Sequence, residues 1–204
     1  MENSKSTAAL LSSCLLGLGF AAQPAVADDD DHHRVRARLS GYEEVHFVFS
    51  PGSAGPPVVP PSAALRGAVS TVARGTFRAT IDKDGQLIKY RLSYQGLEGA
   101  VTQAHIHFGQ PSTVGGIVVW LCQTAGTPAP AAVAAATPFC PASGSVEGSI
   151  TLPQVLAQTA QGIAAGEFDE LVRAIRAGAT YANVHSTLQP MGEIRGAIRG
   201  RDDD

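Results

Sequence analysis

Apolar and polar side chains alternate through the middle of the chain. In GTFRATI (75–81), Phe77, Ala79 and Ile81 alternate with Thr76, Arg78 and Thr80. In LIKYRLSY (87–94), Ile88, Tyr90, Leu92 and Tyr94 share one side and Lys89, Arg91 and Ser93 the other. A period of two is the mark of a half-buried strand, and DKDG (82–85) between the runs is a turn, so the pair predicts a hairpin. RVRARLSGYEEVHFV (34–48) predicts a first strand, and SPGSAGPPVVPPSAA (50–64) a long loop, because proline cannot donate to a ladder. TQAHIHF (102–108), the β-branched run GGIVVWLC (115–122) and GSVEGSITL (144–152) predict further strands. YANVHS (181–186) and GEIRGAIRG (192–200) predict a closing hairpin around TLQPM (187–191).

One segment has clear helical spacing. EFDELVRAIRAG (167–178) places Phe168, Leu171, Val172 and Ile175 on one face, with Glu167, Asp169 and Glu170 in the first turn and Arg173 and Arg176 near the end. Gly178 is a natural stop, and a short helical turn is expected within 152–157. Short alternating strands with 22 glycines and 13 prolines at the turns predict an all-β chain. The expected form is an antiparallel β-sandwich, immunoglobulin-like or superoxide-dismutase-like, with one α-helix inserted before the last hairpin.

The first 27 residues have the layout of a secretory signal. Lys5 gives a short basic start, residues 8–22 an apolar run, and Ala25, Val26 and Ala27 a small-residue cleavage site before Asp28. An alternative is LSSC (11–14), a lipoprotein box with Cys14 lipidated, but the apolar run continues past Cys14. The expected organisation is a signal at 1–27, an acidic and histidine-bearing tail at 28–33, and one domain over 34–201. The tail DDDDHH is either a solvated chain end or a weak scavenger of divalent metal through His32 and His33. A secreted or periplasmic location follows, with no membrane span once the signal is cut. The net charge of −3 offers no general attraction for nucleic acid.

Cleavage of the signal leaves Cys122 and Cys140, an even pair in an exported chain, which suggests a disulfide worth about 3 kcal/mol. Two buried thiols are the alternative. A zinc pair is disfavoured, since no CxxC spacing is present.

The chemistry centres on the histidines. In TQAHIHF, Ala104, Ile106 and Phe108 take the core face, which leaves Gln103, His105 and His107 on the other. The same count puts Asn183 and His185, and Glu193 and Arg195, on the non-core faces of their strands. If the three strands are neighbours, these groups converge. His105, His107 and His185 would then suit copper or zinc, for which neutral imidazole is a good ligand. Arg195 opposes a dication, and Glu193 would offset it or pair with it. The competing reading is a hydrogen-bonded polar cluster, with Asn183, Glu193 and Arg195 as its support. His46 is expected on a strand surface and Trp120 in the core.

Four stretches resemble the CHRD family, the domain first named from chordin. They are LSGYEEV (39–45), GLEGAVTQAHIHFG (96–109), GGIVVWLC (115–122) and 168–198, from FDELV through YANVHS to GEIRGAI. The proline-rich 51–61 and the long interval between the cysteines depart from the family pattern. The resemblance implies a secreted β-sandwich domain like the stand-alone versions in exported microbial proteins, and no established activity. Chordin itself antagonises bone morphogenetic proteins, a role that does not transfer with the fold. The HxH strand is also similar to that of copper-zinc superoxide dismutases.

No GxSxG elbow, HExxH or P-loop is present. Three functions remain: an extracytoplasmic binding or structural module for a protein or small ligand, a copper- or zinc-binding protein, and, with least support, a metal-dependent redox or hydrolytic enzyme.

Overall fold

The computed structural model describes Met1 and residues 33–45, 67–82 and 84–200. The expected signal, Cys14, the tail at 28–32, His46, the loop at 50–64 and the terminal 202–204 lie outside the described residues. Nine strands form one antiparallel sheet. They are β1 (Arg34–Ser40), β2 (Arg74–Ile81), β3 (Ile88–Gln95), β4 (Val101–Phe108), β5 (Gly116–Cys122), β6 (Gly144–Ile150), β7 (Thr180–Ser186), β8 (Ile194–Ala197) and β9 (Arg199–Gly200). The order is β5-β4-β7-β8-β1-β2-β3-β6, with β9 also on β1. The sheet curls until its end strands β5 and β6 approach each other, so a single core is enclosed between two halves. The all-β expectation holds.

The inner face is what the alternation selects. Val35, Ala37 and Leu39 of β1, Phe77, Ala79 and Ile81 of β2, and Ile88, Tyr90, Leu92 and Tyr94 of β3 are all buried. They meet Ala104 and Ile106 of β4, Ala182 and Val184 of β7, and Ile194 of β8. The Tyr90 hydroxyl donates across this core to the Leu121 carbonyl at 2.7 Å, tying β3 to β5. The predicted 82–85 hairpin is in full register from Arg74↔Gln95 to Ile81↔Ile88.

The helix α2 (Phe168–Arg176) buries Phe168, Leu171, Val172, Ala174 and Ile175. It stops where Gly178 takes a φ of 65°, a conformation that costs glycine little. A second helix, α1 (Ala131–Ala134), lies between the cysteines and is too short to show a period. The turn expected within 152–157 is a 3-10 turn at Leu152–Gln154.

Two expectations need correction. The first strand ends at Ser40 rather than reaching Val48, and a 3-10 turn follows at Gly41–Glu43. The cause is a close crossing: Val69 N–H donates to the Gly41 carbonyl at 2.7 Å, and a Cβ on Gly41 would lie 2.2 Å from the Val69 carbonyl oxygen. The chain therefore turns under residues 67–69. Trp120 is only half buried and is not in the core. Bulges in the β4–β5 ladder on either side of the His105↔Trp120 and Ile106↔Val119 pairs set its face: Trp120 sits opposite His105 and shares its side of the sheet.

Candidate metal centre

Strands β4, β7 and β8 are neighbours, as convergence requires. The ladders pair His105 with Asn183, Gln103 with His185, and Asn183 with Arg195. One correction concerns exposure. The sequence places these groups away from the core, which would leave them wet on an ordinary outer face. They are instead buried: His105 is 0% exposed, His107 8%, His185 6%, Asn183 2%, Glu193 0% and Arg195 2%. Residues 109–116, 187–193 and 41–44 furnish the contacts that cover this face.

The histidines meet under that cover. His105, His107 and His185 each offer a ring nitrogen, and the three nitrogens lie within 4.8 Å of one another. The His105 ring sits 4.9 Å from that of His185 and 5.5 Å from that of His107. Two rings are oriented from behind by backbone carbonyls. His107 Nδ1 lies 3.0 Å from the Gly115 carbonyl oxygen, and His185 Nδ1 3.0 Å from that of Pro190. A carbonyl accepts only, so each Nδ1 carries the proton and each Nε2 keeps its lone pair. This is the back-support that metal-ligating histidines receive. Neither nitrogen of His105, nor Nε2 of His107, has a hydrogen-bond partner among the described residues. Buried polar atoms left so are uncommon and call for a ligand or a cost.

Two of the imidazoles, His105 and His107, are held neutral. Burial pushes His105 well below the usual histidine value, and the neighbouring His185 and His107 push it further. Burial also lowers His107 to about 4; the Gly115 carbonyl opposes this, while His185 and Arg195 add to it. Neutral imidazole with a free lone pair is the form that copper or zinc takes.

The supporting residues make hydrogen bonds to the segments that cover the site. Glu193 does not pair with Arg195. Its Oε1 accepts from the Glu98 N–H at 2.7 Å and from Thr71 Oγ1 at 3.0 Å, binding two loops together. Asn183 Nδ2 donates to Glu44 Oε1 and to the Ile194 carbonyl, so it anchors the cover rather than touching the histidines. Arg195 donates to the Gln110 and Pro111 carbonyls, and its guanidinium lies 3.4 Å from the centroid of the Tyr181 ring. Burial lowers its pKa from the ordinary arginine value.

The site includes three further residues that the sequence does not assign to it. Tyr181 stacks on His107 at 4.7 Å with ring planes 3° apart, and its hydroxyl accepts from the Gly115 N–H at 3.1 Å. The period-two count that yields 183 and 185 also yields 181, so a signal for it was present. Trp120 lies 4.3 Å from His105, edge to face. Glu44 closes the cover beside Asn183, where a Cβ on Gly192 would lie 2.6 Å from Asn183 Nδ2 and 2.9 Å from Glu44 Oε2. Neither Trp120 nor Glu44 has a signature in the alternation.

The CHRD domain model matches residues 35–198. The chain belongs to the CHRD domain family. No curated protein and no solved structure matches it. The histidine centre lies wholly inside the CHRD domain, as does the Cys122–Cys140 disulfide, which is formed and fits an oxidising compartment. Among the described residues no helix is long and apolar enough to cross a membrane.

Proposed function

We propose that this CHRD domain is an exported binding module whose ligand is a copper or zinc ion, held by His105, His107 and His185. One observation carries the reading: three imidazoles, buried on one sheet face, bring a ring nitrogen each within 4.8 Å of the others. Two of them are oriented from behind by carbonyls. Three protein ligands leave a coordination position open, which is the arrangement of catalytic rather than closed structural sites. The sequence holds no GxSxG, HExxH or P-loop motif to nominate a reaction, so binding is the function proposed. Export is supported by the signal-like layout of residues 1–27, with the expected cut before Asp28, and by the disulfide.

The test uses the protein recovered after export, without a histidine tag. Copper, zinc, iron and manganese are assayed, and then removed with a chelator. Trp120 is the only tryptophan and lies against His105, so copper returning to the site quenches its fluorescence. Stoichiometric copper or zinc, lost in H105A/H107A/H185A, is the expected result. Metal retained by that variant moves the site to His32 and His33. No metal, together with a triple variant that is merely less stable, makes the histidines a polar clasp.

A further inference from the structure

The other half of the sheet carries a different outward face. Arg199, Arg36, Arg78 and Arg91 lie directly opposite one another across β9, β1, β2 and β3, and Glu147 of β6 ends the row. Adjacent strands are about 4.8 Å apart, so the four arginines span about 14 Å in a straight line. More than half of the chain's 15 Lys and Arg point outward from these strands, and Glu147 is their one carboxylate. The net charge of −3 conceals this, because seven of the 18 acids stand in the runs at 28–31 and 202–204.

Like charges placed directly opposite each other destabilise a sheet. An uninterrupted row of arginines is thus a feature that folding does not select. The remaining outward residues are hydroxyls and an amide: Ser40, Thr76, Thr80, Ser93, Ser145, Ser149 and Gln95. No apolar or aromatic side chain points outward from β1, β2, β3, β6 or β9. Two shallow grooves follow the face. One is lined by Arg36, Arg78 and Lys89, the other by Arg74, Thr76 and Ser145, and they share Arg91. Arg91 is held by Glu147 at 2.6 Å and Ser145 at 2.9 Å.

We propose that this face binds an acidic polysaccharide, a chain of sulfated or uronate-bearing sugars laid along the arginine row. Guanidinium groups pair in two-point fashion with carboxylate and sulfate. The flanking hydroxyls and amide suit a ligand rich in hydroxyls. A single-stranded nucleic acid would require aromatic platforms for its bases, and a membrane surface an apolar wedge; the face supplies neither. The proposal is independent of the histidine centre, which lies buried on the other half of the sheet.

The exported protein is titrated with dextran sulfate and with polygalacturonate, with uncharged dextran as control. Both polyanions are expected to bind, with affinity falling steeply as salt is added. R78Q/R91Q is expected to weaken binding by about tenfold or more, since two charge-assisted contacts are lost. R173Q/R176Q removes the same charge from α2 and is expected to leave affinity nearly unchanged. All four side chains are exposed, so melting temperature shows whether each variant stays folded. Equal weakening by the two pairs overturns the proposal, as does the absence of binding. Binding that appears only after Asp→Asn replacement at 28–31 and 202–204 assigns the row to the chain's own acidic ends and also overturns it. Tighter binding to phosphatidylglycerol vesicles than to either polysaccharide does the same in favour of a membrane.

Discussion

The two outward faces of the sheet are written in the same code and have opposite fates. On β2 and β3 the polar half of the alternation is exposed and takes arginine, lysine, serine and threonine. On β4, β7 and β8 it is sealed beneath three loops and takes histidine, asparagine, tyrosine and arginine. Alternation therefore says which side chains avoid the core, and nothing about whether the second face meets water. A residue set that would be unremarkable in solvent becomes a site once covered. Desolvation neutralises His105 and His107, and every remaining polar atom needs a partner. The exposed face is governed by weak, screened charge, and the covered one by hydrogen bonds that are costly to break.

The sharpest contrast is between two glutamates. Glu193 on the covered side accepts from Glu98 and Thr71, whereas Glu147 on the open side pairs with Arg91 in solvent. E193A leaves two donors stranded under the cover and is expected to cost about 3 kcal/mol in chemical denaturation. E193Q keeps the carbonyl acceptor and should lose much less. E147A should change stability by under about 1 kcal/mol. Equal losses at the two positions would show that the cover excludes no more water than the open face.

Acid distinguishes the faces next. The unfolded chain protonates His107 near the ordinary value of 6.5, while the folded one refuses the proton down to about 4. Stability from this group is thus complete above pH 6.5 and is lost as the pH falls towards 4. The metal-free protein should lose on the order of 3 kcal/mol over that window. His105 shifts the same way. Bound metal should delay the loss, because it stabilises only the folded state. Melting curves of metal-free protein that stay flat between pH 7 and 4 would contradict the burial of the imidazoles.

Much of this was legible in the sequence. Most strand positions, the inner face, α2, the closing hairpin and the histidine trio follow from spacing, because each is a local pattern with a fixed period, while the cystine follows from an even pair of cysteines in an exported chain. The cover is not local. The carbonyls of Gly115 and Pro190 that orient His107 and His185 are backbone atoms, for which no residue type is required. The shift of Trp120 to the histidine side depends on bulges in a run where every residue is apolar, so no period remained to reveal them. Arg195 does set a positive charge beside His107, but its grip on the Gln110 and Pro111 carbonyls and the Tyr181 ring is visible only once the loop is folded over it.

Gly115 tests the cover at its tightest point. A Cβ there would lie 1.8 Å from the Phe108 carbonyl oxygen, so alanine must push residues 109–116 away from β4. G115A is expected to cost about 2 kcal/mol by overpacking. It should also weaken metal binding roughly 10-fold or more, since His107 loses the acceptor behind its Nδ1. Affinity read by Trp120 quenching separates this effect from general destabilisation. Unchanged affinity in a destabilised variant would mean that the Gly115 carbonyl does not position the ring.

The smallest expected effect carries the opposite sign. Arg78 stands between Arg36 and Arg91, so R78Q removes a cation from between two others while leaving a side chain able to cover the same strand. Relief of that repulsion should stabilise the sheet by up to about 0.5 kcal/mol and raise the melting temperature by about 1–2 °C at low salt. The gain should vanish at high salt, where exposed charges are screened. A substitution that improves the fold while weakening the binding of dextran sulfate would mark the arginine row as maintained at the expense of stability, as binding surfaces are. A fall in melting temperature would instead show that Arg78 contributes more through packing on the sheet than it costs in repulsion. The open face would then be held together as tightly as the covered one.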